Sequence, residues 1–373
     1  MAFVIFSLIL AIFSLIEKRA LFFISIICIA FYFSFTYGYG YDWMNYRDSY
    51  NNILSKNQYY IFFVEPGFFI FMKSFAFIGV SFHFFNSFIV LLSYFFIFLF
   101  CVKRENPCFS LFVVFSFFGY FALSEWIRQG LALSIILYAC DYIQNKKKFF
   151  ILISIALLFH IGAIVTFIYP LIGKNSKRNM MFSLVLSFAM MSIIVFSLYN
   201  PDYFSSIPII GKKISDYNYL LTSNGQESAG FFDYILQSRL SLVYIFLFFL
   251  VLKKSSQENR MYTASSATFL LLLSRFASSL VRVGYYFVPL LVVSIDRCMS
   301  LQGKGNKTNL YKILFVLVIF SISTIPFWNP VFWHASENFL TLFSTPYEIN
   351  IEISRKCAVI NYYYEHHAIW RCN

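Results

Sequence analysis

Residues 82–102 read FHFFNSFIVLLSYFFIFLFCV and contain no aspartate, glutamate, lysine or arginine. The basic pair Lys103-Arg104 follows directly. A helix needs about 20 predominantly apolar residues to cross the hydrocarbon core of a bilayer. This stretch therefore predicts a membrane-spanning helix that ends at a water interface.

The composition of the whole chain favours the same class of protein. Of 373 residues, 60% are hydrophobic, 22% aromatic and 12% charged. A soluble domain carries about 25% charged residues and could not bury so much apolar surface in one core. The composition excludes a soluble enzyme, a disordered chain and a secreted disulfide scaffold. No soluble domain interrupts the apolar runs, so we expect one integral membrane domain over residues 1–373.

Apolar runs bounded by polar clusters predict the other helices. The full runs cover residues 3–16, 20–37, 82–102, 108–123, 127–143, 149–172, 180–199, 240–252, 261–280, 283–295 and 311–327. A shorter run over 67–80 follows Glu65-Pro66 and predicts a re-entrant or interfacial helix. The expected fold is all-α and polytopic, with about ten full spans plus re-entrant or interfacial helices.

The distribution of the basic residues behind the net charge of +12 predicts how the chain is oriented in the membrane. Lysine and arginine accumulate in cytoplasmic loops whatever a membrane protein does, so we expect no nucleic-acid partner. With the clusters near residues 18, 103, 147, 175, 254 and 304 in the cytoplasm, about 17 of the 29 basic residues lie on that side. The loops 38–65 and 200–239 and the tail 328–373 then face outside.

The run over 149–172 leaves the topology open. It is long enough for a single span, which would flip everything after it. A hairpin bent near His160-Ile161-Gly162 fits the charge distribution better and gives ten crossings with both termini outside.

The three outer segments mix acids, amides and tyrosines. Such side chains suit a carbohydrate ligand, and they are also ordinary in wet loops and interfacial belts. The tail holds Cys357 and Cys372, which could pair in an oxidising compartment. The sequence leaves that pairing open, and no cysteine shows metal-site spacing.

Two carboxylates stand at the outer ends of apolar runs. Asp42 lies in the stretch 40–46, and Glu65 directly precedes Pro66. Either carboxylate could hold or deprotonate a sugar hydroxyl. Alternatively, Asp42 caps a turn and Glu65 starts the short helix.

Arg128 follows Glu125 at the predicted outer start of a helix. Its planar guanidinium matches phosphate oxygens, and helix N-terminal amides would add to an anion site. The structural alternative pairs Arg128 with Glu125 across one helical turn.

A second group of candidates lies between residues 239 and 286. Arg275 interrupts an apolar run, and Arg282 lies seven residues later, on the same face if the helix is continuous. Arg239 and Tyr285 could join them around an anionic ligand such as a lipid-linked diphosphate. Interhelical ion pairing or snorkelling to headgroups is the alternative.

His160 is a candidate acid or base because it lies at the possible bend, although a lone histidine on an apolar helix is usually a packing residue. The chain contains no phosphate-cradling glycine loop, nucleophile elbow or HExxH motif. We therefore expect no cofactor and no metal.

Taken in order, these pieces resemble the EpsG/Wzy group of polysaccharide polymerases, which includes bacterial O-antigen polymerases. The pieces are YDWMNY at 41–46, EPGF at 65–68, IRQGLA at 127–132, Phe159-His160, and the stretch from Ser274 to Tyr286. The outer loop over 200–238 has no counterpart in the resemblance.

The resemblance implies a metal-independent glycosyltransferase of the bacterial inner membrane, with its active face in the periplasm. A glycan would pass from undecaprenyl diphosphate to a hydroxyl of a lipid-linked repeat unit. The donor diphosphate would be bound by Arg128, Arg275 and Arg282. The acceptor hydroxyl would be oriented or deprotonated by Asp42 or Glu65. Arg239 and Tyr285 would also bind the substrate, and His160 would be a secondary catalytic residue.

The expected partners are the undecaprenyl-diphosphate-linked oligosaccharide, membrane lipid and a chain-length regulator protein. Two other classes stay open. A lipid-linked oligosaccharide flippase would also be polytopic and basic, and an O-antigen ligase would share the donor and use a different acceptor.

Overall fold

A computed structural model describes residues 2–54, 65–204, 206, 211, 214–215, 239–258, 261–276, 280–300 and 306–363. The described chain is almost entirely helical, so the all-α prediction is confirmed. The α-helices are α1 (Ala2–Ile16), α2 (Arg19–Phe35), α3 (Asp42–Asn52), α4 (Pro66–Phe77), α5 (Phe82–Cys101), α6 (Pro107–Phe118), α7 (Ile127–Ala139), α8 (Lys146–Phe159), α9 (Tyr169–Ile172), α10 (Lys177–Tyr199), α11 (Arg239–Glu258), α12 (Tyr262–Leu273), α13 (Val281–Gly284), α14 (Val288–Ser300), α15 (Asn306–Thr324), α16 (Pro330–Ala335) and α17 (Pro346–Tyr363). Strands β1 (Thr36–Tyr37) and β2 (Leu340–Thr341) form one antiparallel pair.

Two described stretches are by themselves long and apolar enough to cross a bilayer, Phe82–Cys101 and Leu310–Trp328. Shorter apolar helices accompany them, including α1, α2 and α4. The membrane-spanning character of residues 82–102 thus agrees with the structure, whereas the count of about ten crossings stays a prediction.

Several predicted runs are divided in the structure. The run over 108–123 ends as an α-helix at Phe118 and continues as a π-helical turn, Phe121–Glu125. Gly119 stands at the division, and the hydroxyl of Ser124 donates to its carbonyl at 2.9 Å. Glu125 is the last residue of this π-helical turn, and its side chain is buried in the protein interior.

The first helix, α1, is apolar on its outer face, and its buried contacts include two serines beside Phe3, Leu10 and Ala11. Ile5, Leu8 and Ile12 are exposed, whereas Ser7 and Ser14 are buried. A water-soluble helix has the opposite distribution, so this face is suited to lipid.

Buried serines join α1 to two other helices. The hydroxyl of Ser7 donates to that of Ser323 on α15 at 2.8 Å and lies 3.3 Å from that of Ser116 on α6. Small polar side chains of this kind allow close helix approach in membranes and add interhelical hydrogen bonds.

The chain folds back at His160. Helix α8 ends at Phe159, His160 has extended backbone angles, and a 3-10 helix covers Ile161–Ile168. The rings of Phe150 and Phe167 stack at 5.6 Å, although one straight helix would separate them by about 25 Å. Residues 149–167 therefore fold back on themselves, as the hairpin interpretation expects, and re-entry on the same side of the membrane stays a prediction.

The chain forms two compact units, residues 1–167 with 299–373, and residues 168–298. The second unit is built on α10, α11 and α12. The hydroxyls of Ser183 and Ser266 lie 2.6 Å apart, and the hydroxyl of Tyr169 donates to the carbonyl of Tyr286.

In the first unit the tail packs on the loop after α2. Strand β2 pairs with β1, Tyr37 opposite Leu340, and the hydroxyl of Tyr41 donates to the carbonyl of Val331 at 2.9 Å. The apolar-run prediction missed α16 and α17 because both helices mix polar and apolar residues. Cys357 of α17 is disulfide-bonded, and Cys372 lies outside the described residues.

The close packing of α7 on the π-helical turn gives a first prediction. A Cβ on Gly130 would collide with the backbone carbonyl of Ala122. We expect Gly130→Ala to lower the unfolding midpoint in detergent by several degrees, because rigid backbone has to move. Gly79→Ala measures backbone strain without a collision, because alanine at its φ of +76° costs about 1–2 kcal/mol but its Cβ meets no atom within 4 Å, so its shift should be the smaller one. Equal midpoint shifts in the two variants would contradict the close-packing argument.

Candidate functional site

Glu65 is the buried centre of a polar cluster in the first unit. It immediately precedes Pro66, the first residue of α4, and its side chain is only 3% exposed. One carboxylate oxygen accepts a hydrogen bond from the guanidinium of Arg128, and the other lies 3.9 Å from Nε2 of His160. The cluster thus combines three residues that lie far apart in sequence: Glu65 before α4, Arg128 at the start of α7 and His160 at the bend after α8.

Arg128 lies in the first turn of α7 with 29% of its side chain exposed. Its Nε donates to the Tyr46 hydroxyl at 3.4 Å, and its guanidinium lies over the rings of Tyr46 and Phe68 at 5.2 and 5.8 Å. A guanidinium carries five N–H donors in a fixed plane. Glu65 and the rings therefore fix its orientation while part of it stays accessible to an anion.

The tautomer of His160 follows from its contacts. The backbone N–H of Gly162 donates to Nδ1 at 3.1 Å, so Nδ1 is an acceptor and carries no proton. In the neutral ring the proton is on Nε2, the atom that faces Glu65. His160 is thereby oriented within the cluster.

Asp42 begins α3 and lies in the same region. Its side chain is half-buried, and its charge acts on both Arg128 and Glu125. The structure therefore gathers four of the predicted site residues, Asp42, Glu65, Arg128 and His160, in one unit.

Glu125 was assigned no catalytic or binding role from the sequence. Its buried carboxylate accepts the backbone N–H of Tyr41 at 2.8 and 2.9 Å and that of Asp42 at 3.0 Å. The structural alternative, a pairing of Arg128 with Glu125, is not what the structure has, because these backbone amides bond to Glu125 and Arg128 pairs with Glu65. Burial raises the pKa of Glu125, and the nearby charge of Asp42 adds to the rise. A glutamate next to the glycine-containing stretch 38–42 in space, but 83 residues away in sequence, gave no local signal.

Lys356 of α17 was also missed. Its ammonium is fully buried and donates to the carbonyls of Gly38, Gly40 and Ala335, the last two at 2.7 and 3.0 Å. Burial lowers the pKa of Lys356, and the carboxylates of Glu352 and Glu125 oppose that effect.

The remaining candidates lie in the second unit. The Arg275 guanidinium is buried over the rings of Tyr244 and Tyr285, at 4.1 and 5.6 Å, and donates to the Tyr244 hydroxyl. Arg282 is half-buried in α13, and Arg239 is the first residue of α11.

The condition for placing Arg275 and Arg282 on one helical face, a continuous helix between them, is not met. Helix α12 ends at Leu273, and Arg275 lies in a 3-10 turn, Ser274–Phe276. The seven-residue spacing therefore does not by itself put the two guanidinia on one helical face.

Among the described residues, no group of three histidine, cysteine, aspartate or glutamate side chains could hold a metal ion. The fold and the Glu65 cluster define a helical protein with apolar outer faces and a preoriented, partly exposed arginine. Residues 19–340 match the family model of the EpsG family, so the chain belongs to that family, which includes Wzy-type polymerases. No curated protein and no solved structure shows a significant match to the chain.

Proposed function

We propose that the protein is a polysaccharide polymerase that moves a glycan from undecaprenyl diphosphate to a hydroxyl of a lipid-linked repeat unit, at the periplasmic face of the inner membrane. The observation that carries the proposal is the environment of Arg128. Its guanidinium is oriented by the buried carboxylate of Glu65, is partly exposed, and interacts electrostatically with the carboxylate of Asp42. A cation for the leaving diphosphate and a carboxylate for the hydroxyl are the two groups that this transfer needs.

In the proposed step, the bond from the sugar C1 atom to the donor diphosphate breaks and a bond from C1 to the acceptor oxygen forms. Asp42 accepts the hydroxyl proton or directs it to water, and the lipid diphosphate leaves with its charge stabilised by Arg128. The pairing of Glu65 with Arg128 favours Asp42 over Glu65 for the hydroxyl. Glu65 then positions Arg128 and His160.

We assign Arg275, with Tyr285, to anion binding in the second unit, because a buried guanidinium stacked on two rings is suited to a phosphate group. Arg239 and Arg282 are proposed to assist it. We propose no metal requirement, since arginine charge would serve the diphosphate. A chain-length regulator is a proposed protein partner, and the disulfide at Cys357 supports a tail on the oxidising, periplasmic side.

The direct test is reconstitution. The purified protein is placed in liposomes with lipid-linked repeat units extracted from a strain that lacks its gene, in a buffer containing EDTA. We expect a ladder of products in steps of one repeat unit, with release of undecaprenyl diphosphate. Movement of units across the bilayer without a ladder would instead indicate a flippase, and transfer only to added lipid A-core would indicate a ligase.

A further inference from the structure

The loop over residues 38–42 is held from two directions by side chains of opposite charge. Its N–H groups at Tyr41 and Asp42 donate to Glu125, and its carbonyls at Gly38 and Gly40 accept from Lys356. The loop ends at Asp42, whose own N–H is one of the bonded groups. A shift of the loop on either side would therefore move the Asp42 carboxylate.

The lysine is matched to this role. An ammonium has three N–H donors, and Lys356 meets three backbone carbonyls, the third being that of Ala335. Glu352 lies 3.7 Å away, and the ring of Tyr41 lies 5.5 Å from the ammonium. A buried charge is expensive unless it is paired and hydrogen-bonded, and simple packing would not require one.

Lys356 lies on α17, beyond the 19–340 match to the family model. Helix α17 is tied to the rest of the tail independently of Lys356. Arg355 donates to the carbonyl of His334 at 2.9 Å, and Ile360 packs in a buried apolar cluster with Val331 and Ala335. The tail can therefore keep its place while the lysine contact to the loop is changed.

We infer that Lys356 is a positioning residue for Asp42, so that the C-terminal tail takes part in the active site by fixing the 38–42 loop. The inference rests on the proposed function, in which Asp42 serves the acceptor hydroxyl. Lys356 touches no substrate in this arrangement and acts through the backbone of the loop.

The test is a double-mutant cycle in the liposome assay, with Lys356→Met, Asp42→Asn and the two combined. We expect Lys356→Met to lower kcat about tenfold with the donor KM unchanged, because Arg128 is not touched. In the Asp42→Asn background the same change should cause no further loss. Lys312→Met, the loss of another largely buried lysine that pairs with Glu17 away from this loop, should keep the wild-type rate.

The outcomes separate the inference from the proposed function. A wild-type rate in Lys356→Met, or losses that multiply in the double variant, would overturn the inference while a slow Asp42→Asn enzyme kept the proposed function. A wild-type rate in Asp42→Asn would overturn the inference and the assignment of Asp42 to the acceptor hydroxyl, whereas the absence of any ladder from the wild-type protein would overturn the proposed function. If Lys356→Met does not fold, Glu125→Gln with Lys356→Met removes both buried charges. That variant is expected to fold and stay slow, and a wild-type rate in it would refute the inference.

Discussion

Replacement of Arg128 by alanine is expected to lower the rate of polymerisation about 10²–10³-fold, the cost of removing one preoriented donor from a site where negative charge develops. The side chain is fixed before any ligand arrives, since Glu65 pairs with it and the rings of Tyr46 and Phe68 lie against it. The effect should fall on kcat, because charge on the diphosphate oxygen increases as the bond to the sugar breaks. The measurement is the initial rate of ladder formation in liposomes.

Arg104 provides a matched control. It too is a largely buried arginine, paired with Asp141 and lying over the ring of Phe100 at 4.3 Å, but it lies in the connection after α5. Arg104→Ala should reduce the folded yield without slowing the protein that does fold. Equal rate losses in the two arginine variants would show that Arg128 acts only in folding.

The role of Glu65 can be separated in the same assay. Glu65→Gln keeps the shape of the side chain but removes the charge that orients Arg128, so we expect a loss of about tenfold, smaller than that of Arg128→Ala. Glu65→Gln combined with Arg128→Ala should be no slower than Arg128→Ala alone, because the two residues act as a unit. A further tenfold loss in the double variant would assign Glu65 a role of its own.

The sequence identified the four gathered residues because each marks a boundary of an apolar run. Asp42, Glu65 and Arg128 are polar groups at helix starts, and His160 interrupts a run at its bend. Such boundary positions can be recognised from the neighbouring residues in the sequence. The resemblance to the family supplied the role that these residues share. The ion-pair partner of Arg128 could not be predicted from the sequence. Both Glu65 and Glu125 are acidic candidates, and only tertiary packing decides between them.

Glu125 and Lys356 remained unassigned for a related reason. A sequence shows neither that a glutamate is buried under a loop 83 residues away nor that a tail lysine reaches the same loop. Their hydrogen bonds are to backbone groups, which leave no side-chain pattern at the partner positions. The tail helix α17 was missed because its charged residues, among them Glu352 and Lys356, point to a wet segment. In the structure Glu352 and Lys356 are buried, whereas Glu348 is exposed.

The second large effect is expected at Gly40. A Cβ built there coincides with the carboxylate of Glu125, which cannot move away without releasing the N–H groups of Tyr41 and Asp42. Gly40→Ala should therefore cost about 3–5 kcal/mol, comparable with breaking a buried charged network, and leave little folded protein. Folded yield and unfolding midpoint in detergent measure it.

Gly38→Ala separates this collision from a general intolerance of the loop. Gly38 has φ +83°, so alanine there is strained by about 1–2 kcal/mol, but its Cβ would lie 3.5 Å from Leu340, which is ordinary contact. We expect Gly38→Ala to lower the folded yield and the unfolding midpoint less than Gly40→Ala does. If Glu125 is the obstacle, Glu125→Ala should add little to the damage of Gly40→Ala, although alone it leaves two loop amides without their acceptor. Additive losses would instead mean that Gly40 is needed for a reason other than room for that carboxylate.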